Sequence, residues 1–192
     1  MKPRVVLAPR WGGTPSHDFY PWLRTELGAL GVELSALHLP NPSTPTIEAW
    51  VPAVRAAIED ALEADGAPPI VVGHSVGCQT VMRALAGFDR EVASACLLVA
   101  AWWQVDEPWP SILPWIDTPF DHARARAAAS RFSVLLSDDD PFTRDHAHTA
   151  ALFHERLGAT PRVASGAKHF NAEREPAVLG SLLELLGSVE PR

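Results

Sequence analysis

Two periods alternate along this chain. Short β-branched or aliphatic runs, bounded by Gly and Pro, give way to longer segments in which apolar residues return every three or four positions. Arg4–Ala8 reads as a first strand, followed by the loop Pro9-Arg10-Trp11-Gly12-Gly13-Thr14-Pro15. His17–Leu30 has helical spacing, with Gly28 and Gly31 near its end. Val32–Leu39 predicts a second strand. Asn41-Pro42-Ser43-Thr44-Pro45 predicts a loop, and Thr46 is positioned to cap a helix over Ile47–Ala64. Pro69–Val72 is a buried strand. The helical run after it carries Val81, Leu85 and Phe88 on one face. Val92–Ala101, Phe132–Leu136 and Thr160–Ala164 predict three further strands, and Asp145–Leu157 and Pro176–Leu186 the last two helices. Strands alternating with helices imply an α/β fold, a mostly parallel sheet of about six strands with helices on both faces. Loops that do chemistry in such sheets lie at the carboxyl ends of the strands.

One segment departs from this rhythm. Residues 102–120 hold Trp102, Trp103, Trp109 and Trp115 among Pro108, Pro110, Pro114 and Pro119. Prolines at that density exclude a long helix or a central strand. The segment leaves the sheet at the carboxyl end of a strand, so it is expected to form a cap-like wall of an apolar pocket, with Trp11 and Trp22 as further contributors. A packed loop whose tryptophans fill gaps in the core is the plainer alternative.

The candidate chemistry is concentrated at Gly73-His74-Ser75-Val76-Gly77. A Gly-x-Ser-x-Gly between a strand and a helix is the context of a nucleophile elbow, in which a strained turn exposes the serine hydroxyl above a helix N-terminus. The flanking glycines are expected where side chains would strike the strand or the helix. Serine needs a base, and the base needs an orienting acid. Ser137-Asp138-Asp139-Asp140-Pro141 follows the fifth strand, and Asp140 is the preferred acid over Asp138 and Asp139. Pro141 restricts the backbone of Asp140. His169 is the only histidine beyond residue 154 and is the expected base. The oxyanion donors are expected to be the backbone N–H of Val76 and that of Trp11, with Arg10 as second choice. Arg10 and His17 are further candidates for the pocket border. His146 and His148, two residues apart on a helix, point different ways, and His154 lacks an evident third ligand, so no metal and no cofactor is expected.

Composition narrows the partners. The 192 residues suit one domain over 1–192, with 47% hydrophobic residues. A formal net charge of −7 argues against nucleic acid and anionic membrane surfaces. After Met1-Lys2-Pro3-Arg4 the apolar run Val5–Ala8 is too short for a secretory signal, and Ala95–Trp103 is too short to cross a bilayer. Cys78 and Cys96 are the only cysteines, expected as reduced, buried thiols. A cytoplasmic monomer or homodimer with a small-molecule acyl substrate is the expectation.

The chain resembles the small serine hydrolases of the α/β-hydrolase superfamily, of the YdeN and retinoblastoma-binding-protein type. The resemblance rests on Gly73-His74-Ser75-Val76-Gly77, on Ser137-Asp138-Asp139-Asp140-Pro141-Phe142, on His169-Phe170-Asn171 and on Pro119-Phe120-Asp121. It implies a minimal α/β-hydrolase fold without the usual first hairpin, and a triad of Ser75, Asp140 and His169. Two positions depart from the family pattern: Pro9-Arg10 where His-Gly or Pro-Gly is common, and Lys168 where Gly usually precedes the histidine. The expected activity is cleavage of an ester, thioester or activated amide through an acyl-enzyme on Ser75. Acyl transfer to another acceptor, or a protein-interaction module with a vestigial triad, are the alternatives.

Overall fold

Parity along the strands divides the core into two layers. Ile70, Val72, Ala95, Leu97 and Val99 pack on one side of the sheet, while Val71, Cys96 and Leu98 pack on the other. Both faces are therefore buried, which is why these strands read as nearly continuous apolar runs. The structure, a computed structural model, describes residues 4–187; the opening Met1-Lys2-Pro3, read above for a signal, lies outside them.

Among the described residues the strands are β1 (Val5–Ala8), β2 (Leu34–Ala36), β3 (Ile70–His74), β4 (Ala95–Val99), β5 (Phe132–Ser137) and β6 (Thr160–Ala164). They form one sheet in the order β2-β1-β3-β4-β5-β6, with every pairing parallel. The helices are α1 (Tyr20–Ala29), α2 (Ile47–Asp65), α3 (Val76–Ala86), α4 (Leu113–Asp117), α5 (His122–Ala127), α6 (His146–Leu157) and α7 (Pro176–Gly187). Residues of α1 and α7 bury Tyr20, Leu23, Val178 and Leu182 on one face of the sheet. Residues of α2, α3, α5 and α6 bury Trp50, Val81, Ala125 and Phe153 on the other. The expected parallel sheet with helices on both faces is the observed fold.

The boundaries that differ have local causes. The first helix starts at Tyr20 rather than His17, because Asp18 takes a left-handed backbone (φ 51°) and turns its carboxylate to Arg10. The second strand contracts to Leu34–Ala36, an edge strand that can pair only with the short β1. The fourth strand contracts at both ends. Val92 and Ala93 donate to the Ala128 carbonyl after α5, and Ala100 (φ 49°) breaks the extended backbone after Val99. The proline-rich segment contains the five-residue α4, whose first turn holds Pro114 at a position where no N–H is needed. α5 was not expected from the pattern. Its Asp121 caps it by accepting from the Arg124 N–H.

Candidate active site

The chain makes its sharpest turn between β3 and α3. Ser75 has φ 56° and ψ −120°, a conformation that L residues rarely adopt. It persists because its neighbours fix it. The Ser75 N–H donates to the Val99 carbonyl at 2.9 Å, and its own carbonyl accepts from Cys78 N–H at 2.8 Å. A Cβ at Gly73 would stand 2.6 Å from Cα of Cys78. A Cβ at Gly77 would run into the carbonyl of Ala8 and lie 2.7 Å from that of Pro9. Both glycines are thus required by close backbone approach, at Gly73 to the helix and at Gly77 to the end of β1.

Three side chains meet over this turn. The His169 Nε2 lies 2.8 Å from Ser75 Oγ, and Nδ1 lies 2.8 Å from Asp140 Oδ2. Asp140 accepts at its other oxygen from the Phe142 N–H at 2.9 Å. A carboxylate can only accept, so Nδ1 of the neutral ring carries the proton and Nε2 is free to accept from the serine hydroxyl. Ser75, Asp140 and His169 are all buried. The ring edge of His169 also meets Phe142, with centroids 4.7 Å apart.

The rest of the acidic run holds the histidine loop. Lys168 (φ 49°) and Phe170 (φ 53°) flank His169 in left-handed conformations. Asp138 accepts from Gly166 N–H at 2.8 Å, Asp139 from Lys168 N–H at 2.7 Å, and Ser137 Oγ from Ala167 N–H at 3.1 Å. The Gly166 N–H, with a bond from Ser165, draws the Asp138 carboxyl below its ordinary value. Asp138 and Asp139, the two alternatives for the orienting acid, therefore clamp backbone while Asp140 holds the ring. Sequence reasoning missed this clamp. Its signal was the uninterrupted Ser137-Asp138-Asp139-Asp140 run at a strand's carboxyl end.

The loop after β1 lies beside the elbow. Val76 opens α3, so its N–H is one of the helix donors that no helical turn engages. The Trp11 N–H makes no hydrogen bond among the described residues. The N–H of Arg10, the second choice as oxyanion donor, is already engaged, donating to Tyr20 Oη at 3.1 Å. The Arg10 guanidinium grips Asp18 through Nε at 2.7 Å and Nη2 at 3.0 Å, and Nη1 donates to the Trp11 carbonyl at 2.8 Å. Its charge is thus matched by a buried carboxylate at the border of the cavity.

Above the serine is a cavity of about 460 Å³. Trp11, Trp102, Val105, Trp109, Ile112 and Phe142 give it apolar walls, and Arg10, Ser75, His169 and Asn171 its polar groups. The Trp/Pro-rich segment contributes Trp102, Val105, Trp109 and Ile112 to this lining, so two of its four tryptophans face the cavity. Trp115 instead packs 6.4 Å from Trp50 and donates to Pro45 carbonyl. Trp103 is drawn into a stack with Phe120 and Phe153, under the Arg156 guanidinium. Trp22 packs in the opposite layer with α1 and α7. His17 is exposed, and its Nδ1 takes the Thr14 N–H, closing a turn before α1 rather than bordering the cavity. Phe142 and Asn171 were missed as lining residues. Each stands two positions after a residue of the chain Asp140–His169–Ser75, and that offset was the available signal.

His74 faces away from the serine into the core. Burial first, then the field of His169, hold its imidazole down at about 3, so it stays neutral. Cys78 and Cys96 are free and buried, as expected, and burial pushes both thiols up.

A parallel sheet in this order with a serine elbow after the third strand defines an α/β-hydrolase. The family model described as serine hydrolase matches residues 5–186, and the chain belongs to that family. YdeN of Bacillus subtilis (strain 168), named as a hydrolase, is 25% identical over 166 residues, which cover 82% of this chain and 85% of that protein. The crystal structure of the B. subtilis ydeN gene product superposes with a TM-score of 0.83 at 20% identity, covering 97% of this chain and 100% of the other. Est1E of Butyrivibrio proteoclasticus, solved with ferulic acid bound, gives a TM-score of 0.75 at 13% identity, covering 97% of this chain and 90% of the other. At such identities the structural likenesses speak to fold alone.

Three outcomes are expected. Gly77→Ala forces the β1 end and α3 apart and should cost about 2–4 kcal/mol, read as the midpoint of urea unfolding. Lys168→Gly relieves a left-handed side chain while keeping its N–H bond to Asp139, and should raise stability by up to about 1 kcal/mol in the same assay. His74 is lowered on folding, so its contribution is fully present above the unfolded value of about 6.5 and is lost as pH falls toward the folded one. Between pH 6 and 4, wild-type stability should therefore fall more steeply than that of His74→Gln, by about 1.4 kcal/mol per pH unit.

Proposed function

We propose that this chain hydrolyses an ester, thioester or activated amide of a small, partly apolar acyl group through an acyl-enzyme on Ser75. The observation that carries this reading is the continuous hydrogen-bonded chain Asp140–His169–Ser75 opening onto an apolar cavity. His169 accepts the hydroxyl proton at Nε2 as Ser75 Oγ attacks the carbonyl carbon. The tetrahedral oxyanion is held by the backbone N–H groups of Val76 and Trp11. His169 returns the proton to the leaving alcohol, thiol or amine, and the acyl group stays on Ser75. A water then gives its proton to His169 and attacks the acyl carbonyl; the intermediate collapses, His169 returns that proton to Ser75 Oγ, and the acid leaves. Asp140 orients the ring and stabilises its charged form.

The tryptophan walls favour one variant of this scheme. Apolar walls slow the approach of water to an acyl-enzyme, so transfer to a non-water acceptor is the second reading, supported by the apolar lining. An interaction module with a vestigial triad would call for an apolar patch with no cavity reaching the serine. The cavity here includes Ser75 and His169, which favours chemistry.

The test is labelling with a fluorophosphonate probe. Wild type should label rapidly, and Ser75→Ala and His169→Ala should not. Asp140→Asn should retain the fold and lose about 10³- to 10⁴-fold in kcat on a p-nitrophenyl ester. Folded wild type that fails to label would contradict the reading.

A further inference from the structure

A buried polar chain on the far side of the elbow connects the two loops that serve Ser75. The Arg10 N–H donates to Tyr20 Oη at 3.1 Å, Tyr20 Oη lies 2.7 Å from His74 Nδ1, and His74 Nε2 lies 2.9 Å from the carbonyl oxygen of His169. Its direction is fixed at both ends. A backbone amide can only donate and a backbone carbonyl can only accept. Nε2 of His74 must therefore carry its proton, Nδ1 must accept, and the Tyr20 hydroxyl must donate to it. The Tyr20 and His74 side chains are fully buried. Burial pushes the Tyr20 phenol up and His74 down, so both are neutral at neutral pH.

The chain ends are what give it a role. Arg10 immediately precedes Trp11, whose N–H is the second oxyanion donor of the proposed mechanism. His169 is the base itself, held between two left-handed residues. We infer that Tyr20 and His74 are positioning residues: they set the oxyanion loop and the base loop at one fixed separation across the elbow. The inference rests on the serine-hydrolase reading for its catalytic consequence, and on geometry alone for the coupling of the loops. His74 occupies the variable position of the Gly-x-Ser-x-Gly run, so the elbow itself carries the link. A partner matched to both loops holds the donor and the base at the distance a tetrahedral intermediate requires. With the link cut, each loop keeps its other anchors, and the two drift independently.

Tyr20→Phe removes one oxygen and leaves the ring packing intact. It should lower kcat on a p-nitrophenyl ester, and the rate of fluorophosphonate labelling, by about 10- to 100-fold, while KM moves less than threefold. His74→Gln should give a loss of similar size, and the double variant no more than the larger single loss. Hydrogen–deuterium exchange reads the coupling without catalysis. In Tyr20→Phe, peptides spanning residues 9–13 and 166–171 should both exchange faster, although the missing hydroxyl touches only Arg10 and His74. A purely structural role predicts a lowered Tm with kcat unchanged well below it. That result, or exchange that quickens in only one loop, overturns the inference. If Ser75→Ala still labels, the hydrolase reading fails, and the exchange result still decides whether the loops are coupled.

Discussion

The whole site hangs on the contact at Gly77, where the first turn of α3 rests against the carbonyls of Ala8 and Pro9. No side chain fits between them. That approach brings the amide of Val76, with the positive end of α3, beside the loop that carries Trp11. It also forces the reversal at Ser75, since β3 must turn within one residue to let α3 fold back along the sheet. The strain of that turn is borne by the surrounding ladder. The Ser75 N–H donates to the Val99 carbonyl of β4, and Gly73 leaves room for Cys78. Position of the Ser75 side chain and position of the Val76 amide are therefore one geometric fact.

The histidine loop is assembled differently, by side chains holding backbone. Ser137, Asp138 and Asp139 at the end of β5 take three successive amides of residues 166–168, and Asp140 takes the ring of His169. One short run thus fixes both the loop and the orientation of its histidine ring. Left-handed Lys168 and Phe170 are tolerated because these bonds over-determine the loop. Lys168 holds a backbone (φ 49°) that glycine adopts freely, at a position where the family resemblance implies glycine.

Much of this was legible in the sequence because it is dictated locally. The parallel sheet follows from the alternation of strand and helix periods, and the elbow from two glycines that no other residue could replace. The choice of Asp140 and His169 follows from their loops at strand ends. What was illegible depends on the third dimension. Trp102 and Trp103 are adjacent, yet one faces the cavity and the other stacks beneath Arg156. Nothing in the spelling of that segment separates them. The start of α1 moved because Asp18 pairs with Arg10, a contact across a loop that no periodicity encodes. The Tyr20–His74 link was hidden for the same reason: its ends are backbone atoms, and backbone atoms leave no mark in composition.

The central claim is that Asp140 and His169 make Ser75 a nucleophile that carries the acyl group. The most direct measurement is to mix the protein with a p-nitrophenyl ester, quench in acid within the first turnover and map the adduct by peptide mass spectrometry. The account predicts an added acyl mass on the peptide bearing Ser75, with release of about one equivalent of nitrophenol ahead of the steady state. Turnover with no acylated serine, or with the acyl group on another residue, would contradict it.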